Sequence, residues 1–171
     1  MKIASKLAVF VAAMTITHQT AAAENITVVS RISGVIESVE AREGDVVRAG
    51  AALARLDDDL ARVGARKAEA LVRAAAARAL ETKRNLERQR IMAKRGLIPP
   101  SELEEAETAA AAAAGEEELA RAWLEEAKLN LEYTVIKAPV SGRIVRVMAH
   151  PGQVIRLDVE LTPLFEIKPA R

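Results

Sequence analysis

The sequence predicts an α+β protein in which a small β unit, built from two related halves, is split by an inserted antiparallel pair of long helices. Three observations predict it. The 171 residues are 50% hydrophobic but only 2% aromatic, so the apolar content is chiefly Ala, Leu and Val, which suits extended helices better than a large conventional core. A short motif, Ser33-Gly34-Val35-Ile36, returns as Ser141-Gly142-Arg143-Ile144. Between the two copies lies a stretch rich in Ala, Arg, Leu and Glu, broken at Pro99-Pro100.

The first element is a targeting segment. Lys2 and Lys6 precede an apolar run from Leu7 to Ile16, and a polar stretch then ends in Ala21-Ala22-Ala23 before Glu24. This is the pattern of a secretory signal peptide, so residues 1–23 are expected to be removed on export, most simply to a bacterial periplasm. A run of this length spans only ~15 Å as a helix, against a hydrocarbon core of ~30 Å. Cleavage leaves 23 basic and 24 acidic side chains.

The β halves come next. An offset of 108 residues relates the two Ser-Gly motifs and also pairs Val39 with Val147, Gly44 with Gly152, Val46 with Val154 and Arg48 with Arg156. After a slip of three residues, Leu53-Ala54-Arg55-Leu56 matches Leu164-Phe165-Glu166-Ile167. Each copy reads as strand, tight turn, strand, with Gly44 and Gly152 supplying the positive φ that other residues resist. Residues 26–56 and 133–168 are therefore expected to fold together, because neither half alone can bury its apolar face.

The insertion, 57–132, is predicted to be a helical hairpin with its tip near 96–100. Asp57-Asp58-Asp59 is suited to cap the first helix, and Lys94, Arg95 and Gly96 to end it. Ser101 with Glu104 forms a capping-box pattern for the second helix. The second helix repeats Leu103, Ala106, Ala110, Ala113, Ala120, Leu124, Ala127 and Leu131 at 3-4 spacing, broken only at Glu117, which predicts a narrow seam of small residues. In the first helix Leu60, Leu71, Ala75 and Leu86 are the expected seam positions. Asp57 to Arg95 carries 11 basic and 6 acidic residues, and Ser101 to Tyr133 carries 2 basic and 10 acidic. This asymmetry favours an antiparallel pair that neutralises itself over like-with-like association.

Several chemistries are excluded. There is no Cys, so disulfides, thiolate metal sites and Cys nucleophiles are ruled out. After the leader, His150 is the one histidine, which cannot build a usual zinc site or a Ser-His-Asp arrangement. Met92 and Met148 are too far apart to argue for a thioether copper site. Near-zero net charge and the scarcity of aromatics argue against nucleic-acid binding. No catalytic residue, cofactor or metal ligand is predicted.

Two half-motifs of the form S-G-x-I-x(2)-V-x(4)-G-x-V, interrupted by a coiled-coil hairpin and preceded by a signal peptide, resemble the HlyD-type periplasmic adaptor, or membrane fusion, proteins. Glu43-Gly44-Asp45-Val46-Val47-Arg48-Ala49-Gly50, Leu56-Asp57, and the run from Leu131 to Ile144 through Ala138-Pro139 carry the resemblance further. It implies that the β halves form a split lipoyl-like domain and that protomers form a homo-oligomeric ring. It also implies that the hairpins meet a TolC-like outer-membrane channel, on behalf of an inner-membrane transporter, in efflux or secretion. On this resemblance the chain is expected to be a short form without the β-barrel and membrane-proximal domains of many members. At the tip, adaptors of this type often carry Arg, then Leu four residues on, then Ser seven further; the matching positions are Arg88, Met92 and Pro99, of which Arg88 is retained. The lipoyl-like halves also admit a biotin or lipoyl carrier, but there the modified Lys sits on the turn joining the halves, which the hairpin here replaces. An exported coiled-coil scaffold, or a degraded adaptor, without a channel partner is the other alternative.

Overall fold

The computed structural model describes residues 24–158 and 161–170; the expected signal peptide, 1–23, lies outside the described residues. In chain order the elements are β1 (Ile26–Val29), β2 (Gly34–Val39), β3 (Val46–Val47), β4 (Ala52–Leu56), α1 (Asp59–Lys94), α2 (Pro100–Tyr133), β5 (Val135–Lys137), β6 (Gly142–Val147), β7 (Val154–Ile155) and β8 (Pro163–Pro169).

Each β half contributes four short strands rather than the two expected, and the halves interlock. One antiparallel sheet has the order β1-β8-β6-β3 and the other β5-β4-β2-β7. Each is thus a central pair from one half flanked by edge strands from the other. The registers obey the repeat: Ile36 faces Leu56 in one sheet and Ile144 faces Ile167 in the other. Gly34 pairs with Ile155, and Gly142 with Val47.

The repeated residues hold this exchange together. Ser33 Oγ accepts the Leu157 N–H at 3.1 Å, and Ser141 Oγ accepts the Ala49 N–H at 2.9 Å, so each motif serine caps a turn of the opposite half. Gly44 (φ 89°) and Gly152 (φ 82°) take the left-handed conformation at the two turns. Their N–H groups donate to Ile144 O and Ile36 O across the same boundary. The core lies between the sheets and mixes both halves: Ile36, Leu53 and Leu56 with Ile144, Ile155, Leu164, Phe165 and Ile167, all almost completely buried.

The hairpin leaves this β part at Leu56, whose N–H donates to Thr134 O at 2.8 Å, so the chain departs and returns at one place. Asp58 occupies the N-cap of α1 without a side-chain cap bond; its carboxylate instead pairs with Arg62 one turn on, at 2.8 Å. The Asp57 carboxylate accepts the Asp59 N–H at 3.1 Å. The expected capping box does not form. Pro99 is the N-cap and Pro100 the first helical residue, because a proline ring already fixes the helical φ and lacks the N–H that would go unpaired there. Ser101 is thereby drawn inside the helix.

The α2 seam follows the predicted positions. Ala106, Ala113 and Ala120 are buried, Leu103, Ala110, Leu124, Ala127 and Leu131 half-buried, and the interrupting Glu117 also lies in the seam. The α1 seam differs from expectation. Ala75 and Leu86 lie in it, but Leu60 is 88% and Leu71 41% exposed. The buried or half-buried positions are Ala61, Ala65, Ala68, Val72, Ala75, Ala76, Ala79, Thr82, Asn85, Leu86, Gln89 and Ala93. A seam rich in alanine on α2 brings the backbones close, so α1 presents mostly small residues, with Val72, Leu86 and Gln89 as its larger inward side chains, and Leu60 and Leu71 turn outward.

Candidate partner-binding tip of the hairpin

The tip is built by the way α1 ends. Gly96 is left-handed (φ 68°); its N–H donates to Ala93 O at 2.9 Å and the Leu97 N–H to Met92 O at 3.0 Å. These two bonds are a Schellman motif, which satisfies the last carbonyls of α1 and turns the chain sharply. Residues 95–99 then connect to α2, with Pro99 extended (φ −71°, ψ 153°).

The three residues singled out in the sequence are all exposed here. Arg88 donates to Asn85 Oδ1 at 3.2 Å, a single neutral acceptor. Met92 stands one turn beyond Arg88 on the same side of α1 and is 38% exposed. Pro99 is at the foot of α2, across the loop from both, so Arg88 and Met92 share a face and Pro99 belongs to the other limb. Sequence reasoning did not place two further apolar side chains in this set. Leu97, at the apex, is 65% exposed, and Ile91 is 52% exposed. The signal for Leu97 was its place directly after the helix-ending Gly96.

Around this apolar cap the α1 limb is basic, while the first turns of α2 carry the exposed carboxylates of Glu102, Glu104 and Glu105. Arg90 is engaged by Glu87 at 3.0 Å and by Glu107 of α2 at 3.4 Å. Among the described residues, Arg88, Lys94 and Arg95 take part in no ion pair. The α1 limb of the tip therefore offers Met92, with Leu97 at the apex, beside basic side chains that make no ion pair among the described residues, an arrangement suited to apolar side chains and to carbonyl-rich helix C-termini.

Along the rod, only two ion pairs among the described residues cross between the helices: Arg78–Glu116 at 2.8 Å and Arg90–Glu107 at 3.4 Å. Mutual neutralisation of the two helices is thus incomplete, because most charged side chains point away from the seam. At the base, the Arg31 guanidinium lies 5.1 Å from the Tyr133 ring centroid. The Lys137 ammonium beside Glu132, at 2.7 Å, holds that carboxyl below the usual carboxylate range. Together these residues line an open cleft of about 290 Å³ where the hairpin meets the sheets. No group of His, Cys, Asp and Glu among the described residues is arranged to hold a metal ion, and no described helix is long and apolar enough to cross a membrane.

Residues 24–160 match the family model described as RND MFP, barrel-sandwich hybrid domain. Over 123 residues the chain is 31% identical to the multidrug resistance protein MdtA of Klebsiella pneumoniae, and 32% identical to MdtA of Yersinia pestis. These alignments cover 72% of this chain but only 30% and 28% of the two relatives, so the chain spans less than a third of either. Among solved structures, the membrane fusion protein Spr0693 from Streptococcus pneumoniae R6 superposes with a TM-score of 0.61 at 17% identity, over 84% of this chain and 62% of that one. ZneB from Cupriavidus metallidurans gives 0.58 at 23% identity, over 85% and 60%. These two likenesses establish a common fold, and the curated relatives are multidrug resistance proteins. With interlocked half-motifs, an inserted hairpin and a family match over most of its length, the chain belongs to the RND membrane fusion proteins, whose barrel-sandwich hybrid domain it carries.

Proposed function

We propose that the protein is the hairpin-bearing adaptor element of a tripartite efflux system, exported to the periplasm with cleavage near Ala23, and that it acts without catalysing a reaction. In this reading residues 26–56 with 133–168 form the lipoyl-like unit through which copies assemble into a ring. The hairpin, 57–132, spans distance between an inner-membrane transporter and a TolC-like outer-membrane channel. Arg88 and Met92, with Leu97 at the apex and Pro99 on the second limb, form the channel-facing contact. The observation that carries this is the tip itself: exposed apolar side chains on a rigidly capped helix end, with basic groups beside them on α1, at the far end of a helix pair roughly 50 Å long at 1.5 Å per residue.

The test is photo-crosslinking in cells from positions 88, 92 and 97, with identification of what is captured. Capture of a TolC-like channel supports the adaptor role. Folded, abundant protein that captures no channel from any of the three positions would favour a scaffold without a channel partner.

A further inference from the structure

The apolar contact offered by the α1 limb is carried by a sulfur. Met92 is 38% exposed, whereas Met148, the other methionine among the described residues, is half-buried at the end of β6, with its N–H bonded to Leu164 O at 2.9 Å. A leucine at position 92 would offer the same apolar surface and would be chemically inert. The thioether has a lone pair that peroxides oxidise, and oxidation turns a flexible apolar side chain into a polar one. Exposure and chemistry therefore coincide at the residue on which the proposed contact depends.

The neighbours of Met92 suit the oxidised form better than the reduced one. Arg88 lies four residues before it and Arg95 three after, the spacings at which side chains on one helix face meet. Arg88 is engaged by the neutral Asn85 Oδ1 at 3.2 Å, and neither arginine takes part in an ion pair among the described residues. A thioether sulfur is a weak acceptor and makes little use of two guanidinium groups. A sulfoxide oxygen accepts charge-assisted hydrogen bonds from them. The backbone does not depend on which form is present: Met92 O accepts the Arg95 and Leu97 N–H groups at 3.1 and 3.0 Å, so the helix ending stands in both and the change is confined to the side chain.

We propose that Met92 is a reversible oxidation site that regulates the contact made by the hairpin tip, with hydrogen peroxide as the oxidant. The sulfur lone pair attacks one peroxide oxygen, an S–O bond forms as the O–O bond breaks, and the proton on the transferred oxygen passes to the departing hydroxide. The products are the sulfoxide and water. Repair by a methionine sulfoxide reductase takes two electrons from a dithiol and returns the thioether, water and a disulfide. The sulfoxide removes the apolar surface at position 92 and, turned onto Arg88 and Arg95, occupies the cations beside it, so both features that fit the tip to a partner are lost in one step. This rests on the channel-facing role proposed above and adds its regulation.

The test compares the parent with Met92→Leu, which keeps the apolar surface and cannot form a sulfoxide, each carrying a photo-crosslinker at position 97. Cells receive a brief pulse of hydrogen peroxide before illumination. In the parent, peptide mass spectrometry should find one added oxygen on Met92 before any on Met148. Capture of the channel should then fall roughly tenfold, the cost of burying one unsatisfied polar group in an apolar contact. Met92→Leu should capture the channel equally with and without peroxide, which separates oxidation of Met92 from oxidation of the partner. In the purified oxidised protein, circular dichroism should match the untreated sample, and methionine sulfoxide reductase with dithiothreitol should remove the added oxygen. Met148 oxidised as fast as Met92, capture unchanged once Met92 is oxidised, an equal loss in Met92→Leu, a loss of helix on oxidation, or an adduct that the reductase leaves in place would each overturn the proposal. Capture that persists through oxidation removes this regulation and leaves the adaptor role standing, whereas a parent that captures no channel even before peroxide removes both.

Discussion

Gly142 and Gly34 occupy equivalent places in the two halves, yet their surroundings differ. A Cβ added at Gly142 would lie 2.3 Å from Lys168 O and 2.9 Å from Ile167 Cγ2, whereas at Gly34 the nearest atom is the flexible Leu56 Cδ1 at 3.4 Å. The backbone of β8 cannot retreat without breaking its pairing to β6, so Gly142→Ala is expected to destabilise the fold by about 1–3 kcal/mol. Gly34→Ala should stay within about 1 kcal/mol of the parent, since Leu56 can adjust and the unfolded chain loses some freedom. Chemical denaturation followed by β-sheet circular dichroism separates the two; equal effects would show that the close approach at Gly142 is relieved elsewhere. The repeat made both glycines legible in the sequence. Their inequality was not, because it depends on the path β8 takes past β6.

Within the hairpin, one polar atom is out of place. Gln89 lies in the seam near the tip, and its Oε1 is buried with no hydrogen-bond partner. The seam positions of α2 at this height are Leu103, Ala106 and Ala110, side chains that offer nothing to accept from. Gln89→Leu removes the orphaned acceptor and adds apolar burial, so it is expected to stabilise the hairpin by about 1 kcal/mol or more. Thermal melting followed at the helical signal would show it, and an unchanged or lowered midpoint would mean that the amide serves to fix register, as isolated polar seam residues can. The α2 seam was legible because Ala and Leu at 3-4 spacing stand out against a run of Glu. The α1 seam was less so. Its inward positions are mostly Ala, with Val72, Thr82 and Gln89, while its Leu residues are divided between seam and surface, and only the closeness of the helices sorts them.

At the scale of the whole molecule, the chain leaves β4 and re-enters β5 side by side, so the hairpin is attached through adjacent points. Replacing residues 59–133 by a tight turn should leave a β unit that unfolds cooperatively, whereas residues 24–57 alone should remain unfolded, since each sheet takes edge strands from the other half. Proton NMR dispersion of the two fragments checks both statements. A folded N-terminal fragment would show that the halves are independent. The sequence by itself determined the two-part architecture, the helix composition, the α2 seam, the family and the candidate tip, because these reside in local periodicity, in Gly and Pro placement and in a repeat that can be counted. Only the tertiary structure decided that the halves exchange edge strands, that Ser33 and Ser141 each cap the other half, and which residues of α1 face α2. Strands of two residues, such as β3 and β7, carry no period to read. The height of one helix against another is set by seam packing, which exists only once both backbones are in contact.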